Sequence, residues 1–197
     1  MGMGTMGKDA LPHRKTCKRW DRSWDAHAIT FSCFRRQAFL SRPRACRWFL
    51  DALDQARAVR PFDLWGFTIM PEHVHLLILP HEDVTISAIL SALKQPVAKR
   101  ALVCVRRYAP GFLETMADCR PNGRVIHRFW QRGGGYDRNL RSTRDVHEKL
   151  RYIHDNPVRR GLRRRAEDWQ WSSCRAWQSG VDDLIRIDRD TFPILET

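Results

Sequence analysis

The stretch Met70-Pro71-Glu72-His73-Val74-His75-Leu76-Leu77-Ile78-Leu79-Pro80 reads as one strand of a sheet. From His73 to Leu79 every residue except the two histidines is branched or apolar, and Pro71 and Pro80 bound the run. Strand side chains alternate between faces, so His73 and His75 share one face at the strand's entrance, with Leu77 and Leu79 continuing it. Two imidazoles held side by side on rigid backbone make half of a metal site. The chain has eight histidines, so a His-x-His pair also arises by chance, and the pair alone leaves both readings open.

Working outward, Phe62 to Met70 reads as a strand, and the short Met70-Pro71-Glu72 link makes the two an antiparallel hairpin. Before it, Trp48, Phe49, Leu50, Leu53 and Ala56 recur at helical spacing from Arg42 to Val59, closed by Arg60-Pro61. Earlier still, Ile29, Phe31 and Cys33 alternate with more polar neighbours in a first strand over His27 to Phe34. A second helix is expected from Ile86 to Val105, burying Ile89, Leu93 and Val97 and turning Lys94, Lys99 and Arg100 outward or obliquely. Residues 106 to 123 read as loop, and Arg124 to Trp130 as the fourth strand. The order strand, helix, strand, strand, helix, strand predicts an α+β, ferredoxin-like fold, an antiparallel sheet with helices packed on one face.

With 197 residues and 43% apolar content the chain can bury one core. The expected organisation is a basic N-terminal arm over 1–25, a domain over 26–165 and a Trp-rich C-terminal tail over 166–197. Trp20 and Trp24 in the arm, and Trp169, Trp171 and Trp177 in the tail, either dock on the core or stack on bases. Lys and Arg number 35 against 22 Asp and Glu, a net charge of +13 dominated by arginine, whose planar fork suits phosphate. The expected partner is therefore a polyanion, nucleic acid rather than membrane. No apolar run is long enough to span a bilayer and no signal peptide is evident, so a cytoplasmic, nucleoid-associated location is expected. Six scattered cysteines without a Cys-x-x-Cys pair read as reduced thiols.

Two further segments carry candidate chemistry. In Gln131-Arg132-Gly133-Gly134-Gly135-Tyr136-Asp137, the glycines permit either close backbone approach to a phosphate or a flexible joint. The next helix is expected to start after Ser142 and to stop at Pro157. It places Tyr152 and Asn156 four residues apart on one face. Packed near the histidine strand, Asn156 can be a third metal ligand and Tyr152 a nucleophile, with water or Glu72 as the alternative ligand. A cation that withdraws charge from a phosphate beside an attacking phenol is what phosphodiester cleavage by a side chain needs. The plain alternative is a half-buried tyrosine with Asn156 capping the helix. Tyr136 is the second candidate nucleophile. Just beyond, Val158 to Arg165 holds five arginines in eight residues, a patch able to grip a nucleic-acid backbone.

These residues resemble a known family. MPEHVHLLI, YIHDNPVRRGL and the Asp168 to Ser173 segment are similar to the REP-associated tyrosine transposases, a branch of the single-tyrosine His-hydrophobic-His transposases. AITFSCFRRQAFL, ALKQPVAKR and FWQRGGGYDRNL add to the match, which spans roughly residues 25 to 175 in consistent order. Gly133-Gly134-Gly135 departs from the bulky residues common there. The resemblance implies a metal-dependent endonuclease and strand transferase with Mg²⁺ or Mn²⁺ on His73, His75 and Asn156. It implies attack by Tyr152 on single-stranded DNA, leaving a 5′-phosphotyrosyl link and a free 3′-hydroxyl. The implied substrate is a hairpin of the repeated extragenic palindrome type, handled by a monomer or homodimer. Lys94, Arg128, Arg132, Arg159 and Arg160 are the expected DNA contacts. The rival reading is a non-catalytic nucleic-acid binder that keeps the same fold. An RNA binder of this topology would want exposed aromatics on its central strands, and His73 to Leu79 offers none.

Overall fold

The computed structural model describes residues 25–195. The expected arm with Trp20 and Trp24 lies outside the described residues.

The histidine strand β3 (His73–Pro80) sits inside a four-stranded sheet. It pairs antiparallel with β2 (Phe62–Ile69) on one side and with β1 (Ala26–Ser32) on the other. The β2–β3 link is tight, with the Met70 N–H donating to the His73 carbonyl at 2.8 Å. The alternation anticipated for β3 divides two cores. Val74, Leu76 and Ile78, all 0% exposed, pack under α1 (Pro43–Val59) and α2 (Ile86–Tyr108). Leu77 packs on the other face with Leu150 and Ile153 of α3 (Thr143–Arg159), and the two histidines look toward that side. The α+β, ferredoxin-like frame is as expected, with α1 and α2 together on one face; α3 adds a layer on the other.

The fourth strand of the sheet is not Arg124 to Trp130. Val125–His127 pairs instead with Ala117–Cys119, inside the stretch read as loop, to form a separate two-stranded hairpin of β4 (Ala117–Cys119) and β5 (Val125–His127). The strand that completes the sheet is β6 (Tyr136–Leu140), on the outer side of β1. Phe129 and Trp130, which lend the earlier segment its strand-like pattern, are buried in the α1–α2 core, Trp130 edge-on to Phe31 at 5.1 Å. An edge strand such as β6 is held by backbone pairing and needs few apolar side chains, so YDRNL carries a weak pattern.

The glycine run has a structural reason. Gly133 and Gly135 adopt φ of 88° and 79°. A Cβ on Gly135 would lie 2.1 Å from the Thr30 carbonyl oxygen. The run is a fitted crossing that brings the chain onto β1, so the close backbone approach the glycines allow is to the neighbouring strand.

α3 also runs past Pro157, to Arg159. Proline removes one N–H from the ladder, but the Arg160 N–H still reaches the Asn156 carbonyl and the Leu162 N–H the Pro157 carbonyl, at 3.0 and 2.8 Å. Gly161, at φ 67°, then turns the chain away.

The Trp-rich segment folds back along the outer edge of β2, ahead of and through the short α4 (Cys174–Ser179). The Ile69 N–H donates to the Trp171 carbonyl at 2.8 Å, and the Trp169 and Trp177 indoles donate to the Ile69 and Trp65 carbonyls at 2.9 and 2.7 Å. Further along, Phe192 meets the rings of Trp65 and Trp177. The segment thereby covers a strand edge that would otherwise template pairing with another chain. Cys33, Cys46 and Cys174 are buried free thiols, and no helix among the described residues is long and apolar enough to cross a membrane.

Gly135→Ala is expected to cost more than about 3 kcal/mol of unfolding free energy, adding a backbone clash to left-handed strain. Gly161→Ala, with nothing within 4 Å of its Cβ position, should cost only about 1 kcal/mol. Urea denaturation of the two variants checks this; equal losses would contradict the fitted crossing.

Candidate active site

The site is built where α3 lies across β1 and β3. Helix and sheet meet closely at Gly66, where a Cβ would stand 2.5 Å from Leu150 Cδ1, next to a bulge in β2 between Leu64 and Gly66. Lys149, Tyr152, Asn156 and Arg159, spaced three or four residues apart, form one stripe of α3. That stripe forms one wall of a cleft of ≈ 650 Å³, with Thr30, His73 and His75 on the sheet side.

The histidines are held from behind. In the β1–β3 register Thr30 stands opposite His75 and Ser32 opposite His73. Thr30 Oγ1 is 2.8 Å from His75 Nδ1, and Glu72 Oε1 is 3.1 Å from His73 Nδ1. Glu72 is fixed in turn by Arg160, whose guanidinium donates to the same oxygen at 2.9 Å. The two Nε2 atoms then face each other at 2.9 Å. Burial pushes the His75 imidazolium pKa down to about 3, with His73 and Lys149 adding to the effect and the hydrogen bond that Asn156 can accept from the ring opposing it. Burial also lowers His73, partly countered by Glu72. For Glu72, burial raises the pKa, but His73 and Arg160 outweigh it and hold the carboxyl below its ordinary range.

Burial thus favours the neutral form of both imidazoles. The proton of His73 belongs on Nδ1, against the Glu72 carboxylate, which leaves a lone pair on Nε2. With the His75 Nδ1–H on Thr30, its Nε2 lone pair points into the same space. Two ligand atoms at adjacent corners around a divalent ion lie about 3 Å apart when each bond is about 2.1 Å. The donor set of two neutral nitrogens and the Asn156 carboxamide, itself 6% exposed, fits such an ion without cancelling its charge. Glu72, the alternative third ligand, is turned to the outer nitrogen of His73.

Tyr152 is 42% exposed, its ring 6.0 Å from that of His75 and nearly perpendicular to it. Lys149 Nζ and Arg159 Cζ stand 4.9 and 5.2 Å from the centre of the phenol ring. Tyr136 reaches the same cleft from β6, beside Thr30. His154, buried, turns away to Ser173 Oγ at 2.8 Å.

Of the residues expected to touch DNA, Arg159 and Arg160 border the cleft and the others do not. Lys94 donates to the Gly133 carbonyl at 2.9 Å, bracing the glycine crossing. Arg128 pairs with Asp118 on the β4–β5 hairpin, and Arg132 is exposed near that carboxylate. Arg163 lies over the Trp169 ring and Arg165 pairs with Glu167, so the five-arginine patch is divided. Sequence reasoning missed Thr30, Lys149 and Arg36 as cleft residues. Lys149 was findable, three residues before Tyr152 on the same stripe; Thr30 needed the strand register, and Arg36 the turn after β1.

No family model matches the chain. A REP-associated tyrosine transposase of Haemophilus influenzae is 29% identical over 126 residues, covering 64% of this chain and 66% of the relative. One of Escherichia coli is 24% identical over 123 residues, covering 62% and 60%. The matches thus span somewhat under two thirds of the relatives' own length. A solved structure of a REP-associated tyrosine transposase bound to a REP hairpin shares the fold, with a TM-score of 0.64 at 20% identity over 93% of this chain and all of that one. The family resemblance read from the sequence and the ferredoxin-like architecture both stand.

Replacing Glu72 by Gln removes the carboxylate that orients His73 and should weaken Mn²⁺ binding about 10- to 100-fold. Isothermal titration of wild type and variant measures this; an unchanged affinity would mean that His73 does not hold the ion.

Proposed function

We propose that this chain cleaves and rejoins single-stranded DNA next to a hairpin by transesterification at Tyr152. In this reading His73, His75 and Asn156 hold a Mg²⁺ or Mn²⁺ ion. The observation that carries the proposal is a solvent-reachable phenol ring 6.0 Å from that of the buried His75, whose Nε2 faces His73 Nε2 at 2.9 Å. The names of the two relatives, and the hairpin in the solved structure of the same fold, support DNA as the substrate.

A bound divalent ion would withdraw charge from the scissile phosphate. The rest falls to side chains. Tyr152 Oη attacks phosphorus, and its proton passes to water or a nearby base, so the phenol's ordinary pKa near 10 is no barrier. The bond from phosphorus to the 3′ oxygen breaks, and that oxygen takes a proton from water to leave as a hydroxyl, which balances the one lost by the phenol. The product is a 5′-phosphotyrosyl link, which a 3′-hydroxyl can attack to reverse the step. Arg159 beside the phenol and Arg160 on Glu72 place positive charge where flanking phosphates would run. Nothing in this scheme requires Tyr136 to react.

Tyr152→Phe is expected to abolish the protein–DNA adduct formed with a labelled hairpin substrate and Mn²⁺, seen on a denaturing gel, while binding persists. Tyr136→Phe should leave the adduct intact. An undiminished adduct in Tyr152→Phe would refute the assignment, and a wild type that binds hairpins but forms no adduct would favour the non-catalytic binder. If arginines of this patch cover five phosphates, log affinity should fall against log salt with a slope of about −3.5.

A further inference from the structure

A second cleft lies on the α1–α2 side of the molecule and takes no part in the chemistry above. It has a volume of ≈ 710 Å³ between the start of α1, the end of α2 and the turn that follows α2. Its floor is aromatic. Phe39 is 9% exposed and meets Phe112 edge-on at 5.6 Å, while Phe112 is itself 44% exposed, a large ring left open to solvent. The rim carries Arg42, Arg44 and Arg47, all exposed, and no carboxylate lines the cleft. Of these three, Arg44 rests on the Cys104 sulfur, at 3.5 Å. Across the Arg44–Cys104 ridge an adjoining hollow of ≈ 580 Å³ continues the pattern with Lys99, Arg107 and Tyr108; no acidic residue lines it, and its Arg100 pairs outward with Asp51 at 2.7 Å. Tyr108 is 67% exposed with the Arg107 guanidinium 5.2 Å from its ring.

Open aromatic rings in a groove lined by cations are what stack unpaired bases while holding their phosphates. A duplex would leave the rings unused, because its bases are already stacked. A peptide partner would be selected by apolar pockets without needing this charge. We infer that this groove is a binding track for single-stranded DNA flanking the segment that reacts at Tyr152; the inference rests on the function proposed above.

The two sites are joined by the turn after β1. Arg36 lines the Tyr152 cleft and Ala38 lines the second one. Two residues span at most about 7 Å, so a strand leaving Tyr152 over Arg36 meets the groove within a short reach. The turn itself is unusual, because Arg35 and Arg36 both adopt left-handed φ, 51° and 54°. Such a conformation costs on the order of 1–3 kcal/mol per residue for a side chain other than glycine. It is fixed by the Arg35 N–H on Gln131 Oε1 and the Arg36 N–H on the Cys33 carbonyl, both at 3.0 Å. These bonds hold Arg36 at the edge of the Tyr152 cleft, with Arg35 exposed beside it over the Phe34 ring.

The test compares a fluorescein-labelled hairpin bearing a single-stranded thymidine extension, at either end in turn, with a blunt hairpin of the same stem. Binding is read by anisotropy over a salt series. Phe112→Ala should weaken binding of one extended hairpin roughly fivefold or more, through a lost stacking contact. Arg44→Ala with Arg47→Ala should flatten that hairpin's salt slope by about 1.4, at about 0.7 per phosphate contact on a single strand. Neither variant should change affinity for the blunt hairpin or the yield of the Tyr152 adduct at saturating DNA. Extended and blunt hairpins weakened alike, no change with either, or the same response only to an RNA extension would overturn the groove assignment while wild-type binding and adduct keep the function reading. Wild type with no affinity for any of these hairpins overturns both.

Discussion

The two-residue repeat of β3 constrains everything else. Val74, Leu76 and Ile78 are wholly buried against α1 and α2, and a slip of one residue would exchange them with the histidines. Burying two imidazoles in that apolar core, where no polar group meets them, and turning three aliphatic side chains toward the polar cleft side would both be unfavourable. The register is therefore set by hydrophobic burial, and the positions of His73 and His75 follow from it. The chemistry inherits its precision from the core on the opposite face.

The same logic explains how a helix distant in sequence supplies the rest of the site. α3 is strongly amphipathic, and its apolar edge of Val146, Leu150 and Ile153 has a place to go only on the face of the sheet left uncovered by α1 and α2. Gly66 opens room for Leu150 to seat there. Once that edge is down, the neighbouring stripe with Tyr152 and Asn156 is directed over the histidines. Glu72 connects the pieces, bonding His73 in the strand and Arg160 at the helix end with one oxygen. Orientation of a ligand histidine and of a phosphate-binding arginine are thus mechanically joined.

The sequence made legible those parts that depend on side-chain burial. The β2–β3 hairpin, both long helices and the shared face of Tyr152 and Asn156 follow from periodicity alone. What it hid depends on backbone fit. β6 is polar and short, and is recognised only through its pairing with β1 and the glycine crossing over Thr30. Phe129 and Trp130 look like strand residues but are core plugs. Pro157 reads as a stop, yet falls late enough in the helix for the final turn to close around it. Thr30 became a site residue only when the register placed it against His75. Lys94 and Arg128 have intramolecular partners that charge alone did not reveal, since one braces the glycine run and the other pairs with Asp118.

The central claim is that the histidine pair and Asn156 form one cation site beside Tyr152. Diffraction from crystals soaked in Mn²⁺, recorded at a wavelength where manganese scatters anomalously, tests it most directly. The account predicts a single strong peak between His73 Nε2, His75 Nε2 and the Asn156 carboxamide, about 2.0–2.3 Å from each. Saturating Mn²⁺ with no peak in that cleft, or a peak that Asn156 does not approach, would contradict it.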